Sequence, residues 1–369
     1  MINSLRLLNF KPFENQFLKF RPLTLLCGLN SSGKSSVLQS LLLLRQSYQQ
    51  GLLPNIGLAL NGELICIGTA QDALFERASK EEIGFDIIWE NDTEGIWRFN
   101  YDREVDVLNL ASSSIPPEVY QSSIFTNNFH YLQAERMGTR SFNEMSYSQV
   151  RRLRQIGTKG EYTAHFLSIY GDKDIPNVNL SHPKAKSPEL VNQVEAWIGE
   201  VSPGTRLKIA PKPDIERMSF QYYYGDSNPY RATNVGFGIS YTLPIIVAVL
   251  ASEPGTLILI ENPEAHLHPK GQSQMGSLLA LAASCGVQIV IETHSDHVLN
   301  GIRLAVHGGK IDPKDVQLHF FQRQEKEGQS FTEVVSPRID RNGRLDQWPE
   351  GFFDEWDKSL EALLEPVGE

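Results

Sequence analysis

The run Gly28-Leu29-Asn30-Ser31-Ser32-Gly33-Lys34-Ser35 is a complete G-x-x-x-x-G-K-S phosphate loop, and it constrains the fold on both sides of itself. Such a loop works only between a buried strand and a helix. The glycines let backbone N–H groups wrap phosphate oxygens, and the helix N-terminus faces their charge. The flanking sequence meets both demands. Leu23-Thr24-Leu25-Leu26-Cys27 reads as a short buried strand, and Ser36-Val37-Leu38-Gln39-Ser40-Leu41-Leu42-Leu43-Leu44 reads as the start of a helix. A Gly/Ser-rich turn that merely preceded Lys-Ser would not need this setting. The chain is therefore expected to bind a nucleoside triphosphate. Lys34 would reach the β- and γ-phosphates, and the Ser35 hydroxyl would bind Mg²⁺.

Composition sets outer limits. The 369 residues suffice for one large domain or for a core carrying an insertion, and 41% hydrophobic with 21% charged residues is ordinary globular usage. Cys27, Cys66 and Cys285 show no CxxC spacing, so neither a disulfide framework nor a zinc ribbon is indicated, and a reducing cytoplasm is expected. The N-terminus lacks a basic-then-apolar signal, and the longest apolar run, Thr242 to Ala251, contains Pro244 and is too short for a bilayer. A net charge of −10 argues against a generally basic nucleic-acid binder but leaves room for a local basic face. Arg136, Arg140, Arg151, Arg152, Arg154 and Lys159 fall in one stretch with only two acids between 130 and 160. That stretch reads either as a solvated face or as a phosphate-binding surface.

Along the chain, 1–50 reads strand, strand, phosphate loop, helix. Residues 51–229 are mixed: strands around Asn61-Gly62, a hairpin across Asn91-Asp92, loops at 111–128 and 171–188, and an amphipathic helix from Leu190 to Ile198. Strands follow at Arg206–Ile209 and Met218–Tyr224. From 230 the pattern becomes dense. A helix opens at Gly236-Phe237-Gly238-Ile239-Ser240, followed by a buried strand ending in Glu261 and a helix over 271–283. A second buried strand ends at Glu292-Thr293-His294. Strands alternating with helices, with acids and histidine at the strand ends, predict a parallel sheet whose ligands gather at one edge. No internal repeat and no sustained heptad pattern is present.

Several runs together carry a resemblance. Leu257-Ile258-Leu259-Ile260-Glu261 has the form of a Walker B strand. Pro263-Glu264-Ala265-His266-Leu267-His268-Pro269, Glu292-Thr293-His294-Ser295 and the opening Asn9-Phe10-Lys11 accompany it. With the phosphate loop, these make the chain resemble an ABC-type AAA ATPase of the RecF, structural-maintenance-of-chromosomes and OLD group. The tail Asp340-Arg341-Asn342-Gly343 to Glu355 resembles an uncharacterised C-terminal domain of bacterial members. The implied fold is an α/β P-loop NTPase of ABC-head type, a mixed or parallel sheet flanked by helices. Its core would comprise 1–50 and 230–310, with an inserted lobe over 51–229 and a small C-terminal subdomain over 311–369.

The resemblance implies roles for particular residues. Asn30, Ser31, Ser32, Gly33, Lys34, Ser35 and Ser36 would hold the triphosphate, and Glu261 would face Mg²⁺ together with Ser35. Gly236, Gly238 and Ser240 stand where such ATPases present a signature loop to the ATP of a second subunit. A homodimer closing around ATP is thus expected. His294 matches the switch histidine that senses the γ-phosphate. Gln133 stands either for the Q-loop metal ligand or for a plain surface glutamine. One position departs from the pattern. The second acid of the Walker B end is here Asn262, which can orient water but cannot accept a proton at neutral pH. Hydrolysis is therefore expected to be slow, with Glu264 the alternative base. His266, His268, His294 and His297 could suggest a metal set, but the first two fall in a loop whose family role is subunit contact. A dedicated transition-metal site is not expected.

Two functions follow. One is an ATPase that dimerises around Mg-ATP and acts on DNA or gates a partner effector, in phage defence or DNA repair. The other is a regulatory ATP-binding module with negligible turnover that controls a separate effector such as a nuclease. An intrinsic OLD-type nuclease is disfavoured, since only about seventy residues follow His294 and they contain no D-x-D pair. Phe352-Phe353, Trp348 and Trp356 are expected to pack a terminal subdomain onto the core.

Overall fold

The computed structural model describes residues 1–326 and 329–364. The chain begins with strands β1 (Ile2–Phe10), β2 (Phe13–Lys19) and β3 (Leu23–Gly28) and helix α1 (Lys34–Gln49). Strand β4 (Gly57–Ala59), the short helix α2 (Ala70–Ala73) and strands β5 (Glu82–Trp89), β6 (Glu94–Asn100) and β7 (Val107–Ser114) follow. The middle adds β8 (Phe129–Leu132), β9 (Phe142–Glu144), α3 (Thr163–Tyr170), α4 (Leu190–Val201), β10 (Thr205–Lys212), β11 (Arg217–Tyr224) and β12 (Tyr230–Arg231). The last third runs α5 (Phe237–Ala251), β13 (Leu257–Glu261), α6 (Pro269–Ser284), β14 (Gln288–Glu292) and α7 (Asp296–His307). It ends with β15 (Val316–Lys326), β16 (Gln329–Val335) and α8 (Glu355–Leu364).

The central sheet has the order β16-β15-β3-β14-β13-β8. Strands β15, β3, β14, β13 and β8 run parallel, and only β16 is antiparallel to its neighbour. A parallel sheet covered on both faces needs apolar side chains on both, which is why β3, β13 and β14 read as unbroken apolar runs. Successive residues divide between two cores. Leu26, Leu257, Leu259 and Val290 join the cluster built on α1 and the N-terminal strands. Leu25, Cys27, Ile258, Ile260, Ile289 and Ile291 face the other way, onto the core of α4 to α7. A second, antiparallel sheet of order β2-β1-β5-β6-β7-β4 covers α1, and a third of β10, β11, β12 and β9 closes the far end. The fold is thus the expected α/β P-loop architecture. Among the described residues no helix is long and apolar enough to cross a membrane.

Strand pairing crosses the divisions drawn from the sequence at 51, 230 and 311. Strand β1 pairs with both β2 and β5, so 82–114 continues the N-terminal sheet. Strand β8 adjoins β13, and β15 lies directly against β3. Open strand edges demand hydrogen-bond partners, and here segments distant in sequence supply them. The hairpin across Asn91-Asp92, the helix at 190 and the strands at 206 and 218 form as expected.

Two local expectations need correction. Asn61-Gly62 does not join two strands: β4 pairs with β7, and Asn61 makes only an isolated bridge to Cys66. Gln46 of α1 is the reason. It accepts from the N–H of Ile65 at 3.2 Å, so of the bonds across this turn only Gly62 N–H to Ile65 and Ile67 N–H to Leu60 form. The loop expected from 111 begins later, because β7 continues to Ser114 opposite Ile96.

Candidate nucleotide site

The phosphate loop leaves β3 through Gly28 at φ 138° and enters α1 through Gly33 at φ 101°, both in the region that glycine alone adopts readily. Space forbids other residues as well. A Cβ on Gly28 would lie 2.1 Å from the carbonyl oxygen of Phe321, and one on Gly33 would lie 2.7 Å from Pro12. The loop is braced from two sides. Ser32 Oγ donates to the carbonyl of Leu29 at 2.7 Å, and Thr332 Oγ1 of β16 donates to the carbonyl of Ser32 at 3.2 Å. Lys34 Nζ folds back onto the carbonyls of Gly28 at 3.0 Å and Leu29 at 2.7 Å. Burial lowers its pKa, and the nearby Glu292 opposes that shift.

A cleft of about 430 Å³ opens over this loop. Asn30, Ser31, Ser32, Gly33, Lys34, Ser35, Ser36 and His294 line it, as expected from the sequence, and Lys11, Gln39 and Glu292 join them. Lys11 Nζ is held by Gln39 Oε1 at 2.9 Å, which keeps a cation over the first turn of α1. His294 stands exposed on the wall, with its pKa lowered first by burial and then by Lys34.

The carboxylate nearest the loop is Glu292, not Glu261. Glu292 ends β14, the strand directly beside β3, and its Oε1 accepts a hydrogen bond from Ser35 Oγ at 3.0 Å. Its Oε2 is buried without a hydrogen-bond partner among the described residues. Desolvation and the neighbouring Glu261 carry its pKa up to about 7, against the pull of Ser35 and Lys34. Glu261 sits one strand further out. Its oxygens accept from Tyr131 Oη at 2.8 Å and the N–H of Ala134 at 2.9 Å, so inward donors already occupy both. The sequence carries a signal for Glu292, an acid closing an apolar run at Glu292-Thr293-His294.

The remaining candidates stand apart from the cleft. Asn262 adopts φ 45°, donates its N–H to the carbonyl of Glu292 at 2.8 Å, and does not line the cleft. Glu264 is a clamp: it accepts from Thr293 Oγ1 at 2.6 Å and from the N–H of His294 at 2.8 Å, fixing the His294 turn. It does not line the cleft, though the His294 it holds does. Gln133 donates to Thr158 Oγ1 at 3.3 Å, away from the phosphate loop. Gly236 is exposed at the start of α5, whereas Gly238 packs against the carbonyl of His266. The Ser240 hydroxyl is buried within this chain. Its Oγ is sealed beside Tyr222 in a small cavity, because the third sheet covers that turn of α5.

The basic run at 136–159 does not form one face. Arg136 is 2% exposed and donates to the carbonyls of Gln133, Tyr241, Glu261 and Asn262, while Arg154 reaches Glu253 at 3.3 Å. Burial lowers the Arg136 pKa to about 10, so its charge persists at neutral pH. His266 stacks with Tyr241 and Phe237, and His268 accepts from the N–H of Lys270 at the cap of α6. Phe352 packs fully against Phe320, yet Trp356 is 70% exposed and takes no part in that contact.

Comparison with known proteins agrees with this architecture. A family model described as "AAA domain, putative AbiEii toxin, Type IV TA system" matches residues 23–300, three-quarters of the chain. A second, described as a protein of unknown function (DUF3696), matches residues 311–363. No curated protein sequence matches. Among solved structures, the chain is similar to an SMC head bound to the C-terminal winged-helix domain of ScpA. That likeness has a TM-score of 0.54 and 14% identity, covering 91% of this chain and 98% of the other. It is also similar to an SMC head with an extended coiled coil, bound to the C-terminal domain of ScpA, from Pyrococcus furiosus. There the TM-score is 0.53 with 13% identity, and 99% of each chain is covered.

Proposed function

We propose a function on the premise that the chain belongs to this AAA domain family: it binds Mg-ATP and hydrolyses it slowly. The observation that carries the reading is the Ser35–Glu292 pair at the foot of the phosphate cleft, with one buried carboxylate oxygen still unpartnered. An unpartnered anionic oxygen beside a phosphate loop suits a hard divalent cation, which prefers oxygen ligands. Ser35 and Glu292 would hold Mg²⁺, and the bound ion would supply positive charge against the β- and γ-phosphates. Lys34 would turn from its two carbonyls to the phosphates, exchanging neutral for charge-assisted hydrogen bonds. The N–H groups of Ser35 and Ser36 open α1 and would face the same anion.

Dimerisation around ATP is the second part of the proposal. The exposed Gly236-Phe237 turn at the N-terminus of α5 is the surface that would meet the partner's nucleotide, with Phe237 53% exposed beside it. Ser240 would support that turn from inside. The closed dimer would gate a partner effector or engage DNA, as in phage defence. Asn262 in place of a second acid favours a variant of this reading, in which ATP binding alone operates the gate.

Calorimetry with Mg-ATP tests the first part. Lys34→Ala should weaken binding by about 100-fold, as loss of charge-assisted bonds to phosphate predicts. Unchanged affinity would remove the phosphate loop from the site. Light scattering with a non-hydrolysable analogue tests the second: a monomer at saturation would end the sandwich model.

A further inference from the structure

A cleft larger than the one over the phosphate loop opens elsewhere among the described residues. It measures about 690 Å³ and lies where β2 and the segment before β3 meet the region matched as DUF3696. Lys19 and Arg21 line it from the N-terminal side; Lys314, Arg338 and Arg341 line it from the other. Asp312 is the sole carboxylate in the lining, and it is paired with Lys314 at 3.3 Å. Asp315 lies near enough to feel Arg21 but does not line the cavity. Lys19, Arg21, Arg338 and Arg341 make no ion pair within 4.0 Å among the described residues. In a chain of net charge −10, this concentration of cations is a local reversal of sign.

The floor of the cavity is built rather than incidental. His319 is buried, with Nε2 2.8 Å from the carbonyl of Lys19 and Nδ1 2.8 Å from Ser336 Oγ. It thereby ties the end of β2 to the segment that carries Arg338. Phe17 of β2, 46% exposed, offers an aromatic face at the rim. Cations along a groove with an exposed ring beside them are the parts from which single-stranded nucleic acid is bound. The cations track the phosphodiester backbone, and the ring stacks a base.

We propose that this cleft binds single-stranded nucleic acid, with phosphates over Lys19, Arg21, Arg338 and Arg341 and a base on Phe17. The site is separate from the phosphate loop and does not depend on nucleotide binding there. The lining is confined to one cleft with a single exposed ring at its rim, whereas a duplex needs a surface on the order of 1,000 Å² or more, so a single strand is the better fit.

The test is fluorescence anisotropy with a labelled oligodeoxythymidine about 20 nucleotides long, without ATP, at about 50 to 200 mM salt. The wild-type chain should bind, with log affinity falling linearly against log salt. Arg338→Glu/Arg341→Glu should weaken binding at least ~10-fold at low salt. It should flatten the salt slope by about 1.4, since each single-strand phosphate contact contributes about 0.7. Both side chains are exposed, and equal melting temperatures with retained Mg-ATP binding would establish that the variant folds. Phe17→Ala should lower affinity without changing the slope. Lys34→Ala should bind the oligonucleotide as wild type does, which separates this site from the ATP site. Absence of binding by the wild-type chain at low salt would overturn the proposal, as would equal affinity of the charge-reversed variant. Competition by inorganic triphosphate or by poly-glutamate at the same phosphate or carboxylate concentration would also overturn it, by making the cleft a general anion site.

Discussion

Glu261 and Glu292 lie directly opposite each other in the register of β13 and β14, two identical side chains at the same height of one sheet. Their surroundings differ in every respect that matters. Glu261 is bound from within by Tyr131 and the N–H of Ala134, and its own carbonyl is held by the buried Arg136. Glu292 has one donor, Ser35, and one buried oxygen with none, and it is carried up to about 7. One strand end has both carboxylate oxygens hydrogen-bonded; the other has one, among the described residues. A carboxylate's role here is set by which strand adjoins the phosphate loop, and the local motif around it does not decide that.

The comparison can be broken most severely at the Glu261 end. Arg136→Ala leaves four carbonyls without their shared donor and should cost about 3 kcal/mol or more in urea unfolding. A loss under about 0.5 kcal/mol would mean that water replaces the guanidinium and that this end is not bolted. Next comes chemistry. Glu292→Gln should lower Mg-dependent phosphate release ~100-fold, with a smaller effect from Glu261→Gln. The reverse order would return the metal-facing role to the Walker B position.

A smaller effect concerns pH. The folded chain binds the Glu292 proton more tightly than the unfolded chain, whose carboxyl titrates near 4.5. This group's contribution therefore favours folding at low pH and is lost as pH rises from about 4.5 through about 7. The loss should be about 3 kcal/mol. Melting curves of wild type minus Glu292→Gln across that range should show the decline, and a flat difference would contradict the assigned burial. Smallest is Asn262→Glu. At φ 45° a glutamate should cost about 1 kcal/mol, read as a modest fall in melting temperature. A rise in turnover in the same variant would show that a second acid at 262 supplies the base that Asn262 lacks.

The parallel core was legible because its physics is local: a strand buried on both faces must be apolar throughout, and a phosphate loop needs its glycines. The loop residues from Asn30 to Ser36 and His294 gather around one cleft as the sequence suggested. What escaped was everything decided by strand order. Nothing in Leu257 to Glu261 says that another strand, β14, lies between it and β3, so the sequence does not reveal that Glu292 is the carboxylate bonded to Ser35. Arg136 looked like surface charge because sequence composition cannot reveal four buried carbonyls converging on one side chain. The cover of Ser240, the sheet of β9 to β12, comes from upstream strands with no motif of their own, so the sequence does not show that its hydroxyl is buried.

The adjacency of β15 and β3 has a consequence for inheritance. One family match ends at residue 300 and the other begins at 311, yet the strands on either side of that gap share hydrogen bonds from Val316↔Leu23 to Phe321↔Gly28. The seam between the two families therefore runs through the middle of a sheet, beside the phosphate loop itself. Such a tail cannot be exchanged between chains as a cassette. A gene cut at this seam would yield an N-terminal half with a naked strand edge next to its nucleotide cleft, open to pairing with any other exposed strand. The two segments are bound to travel, and to change, together.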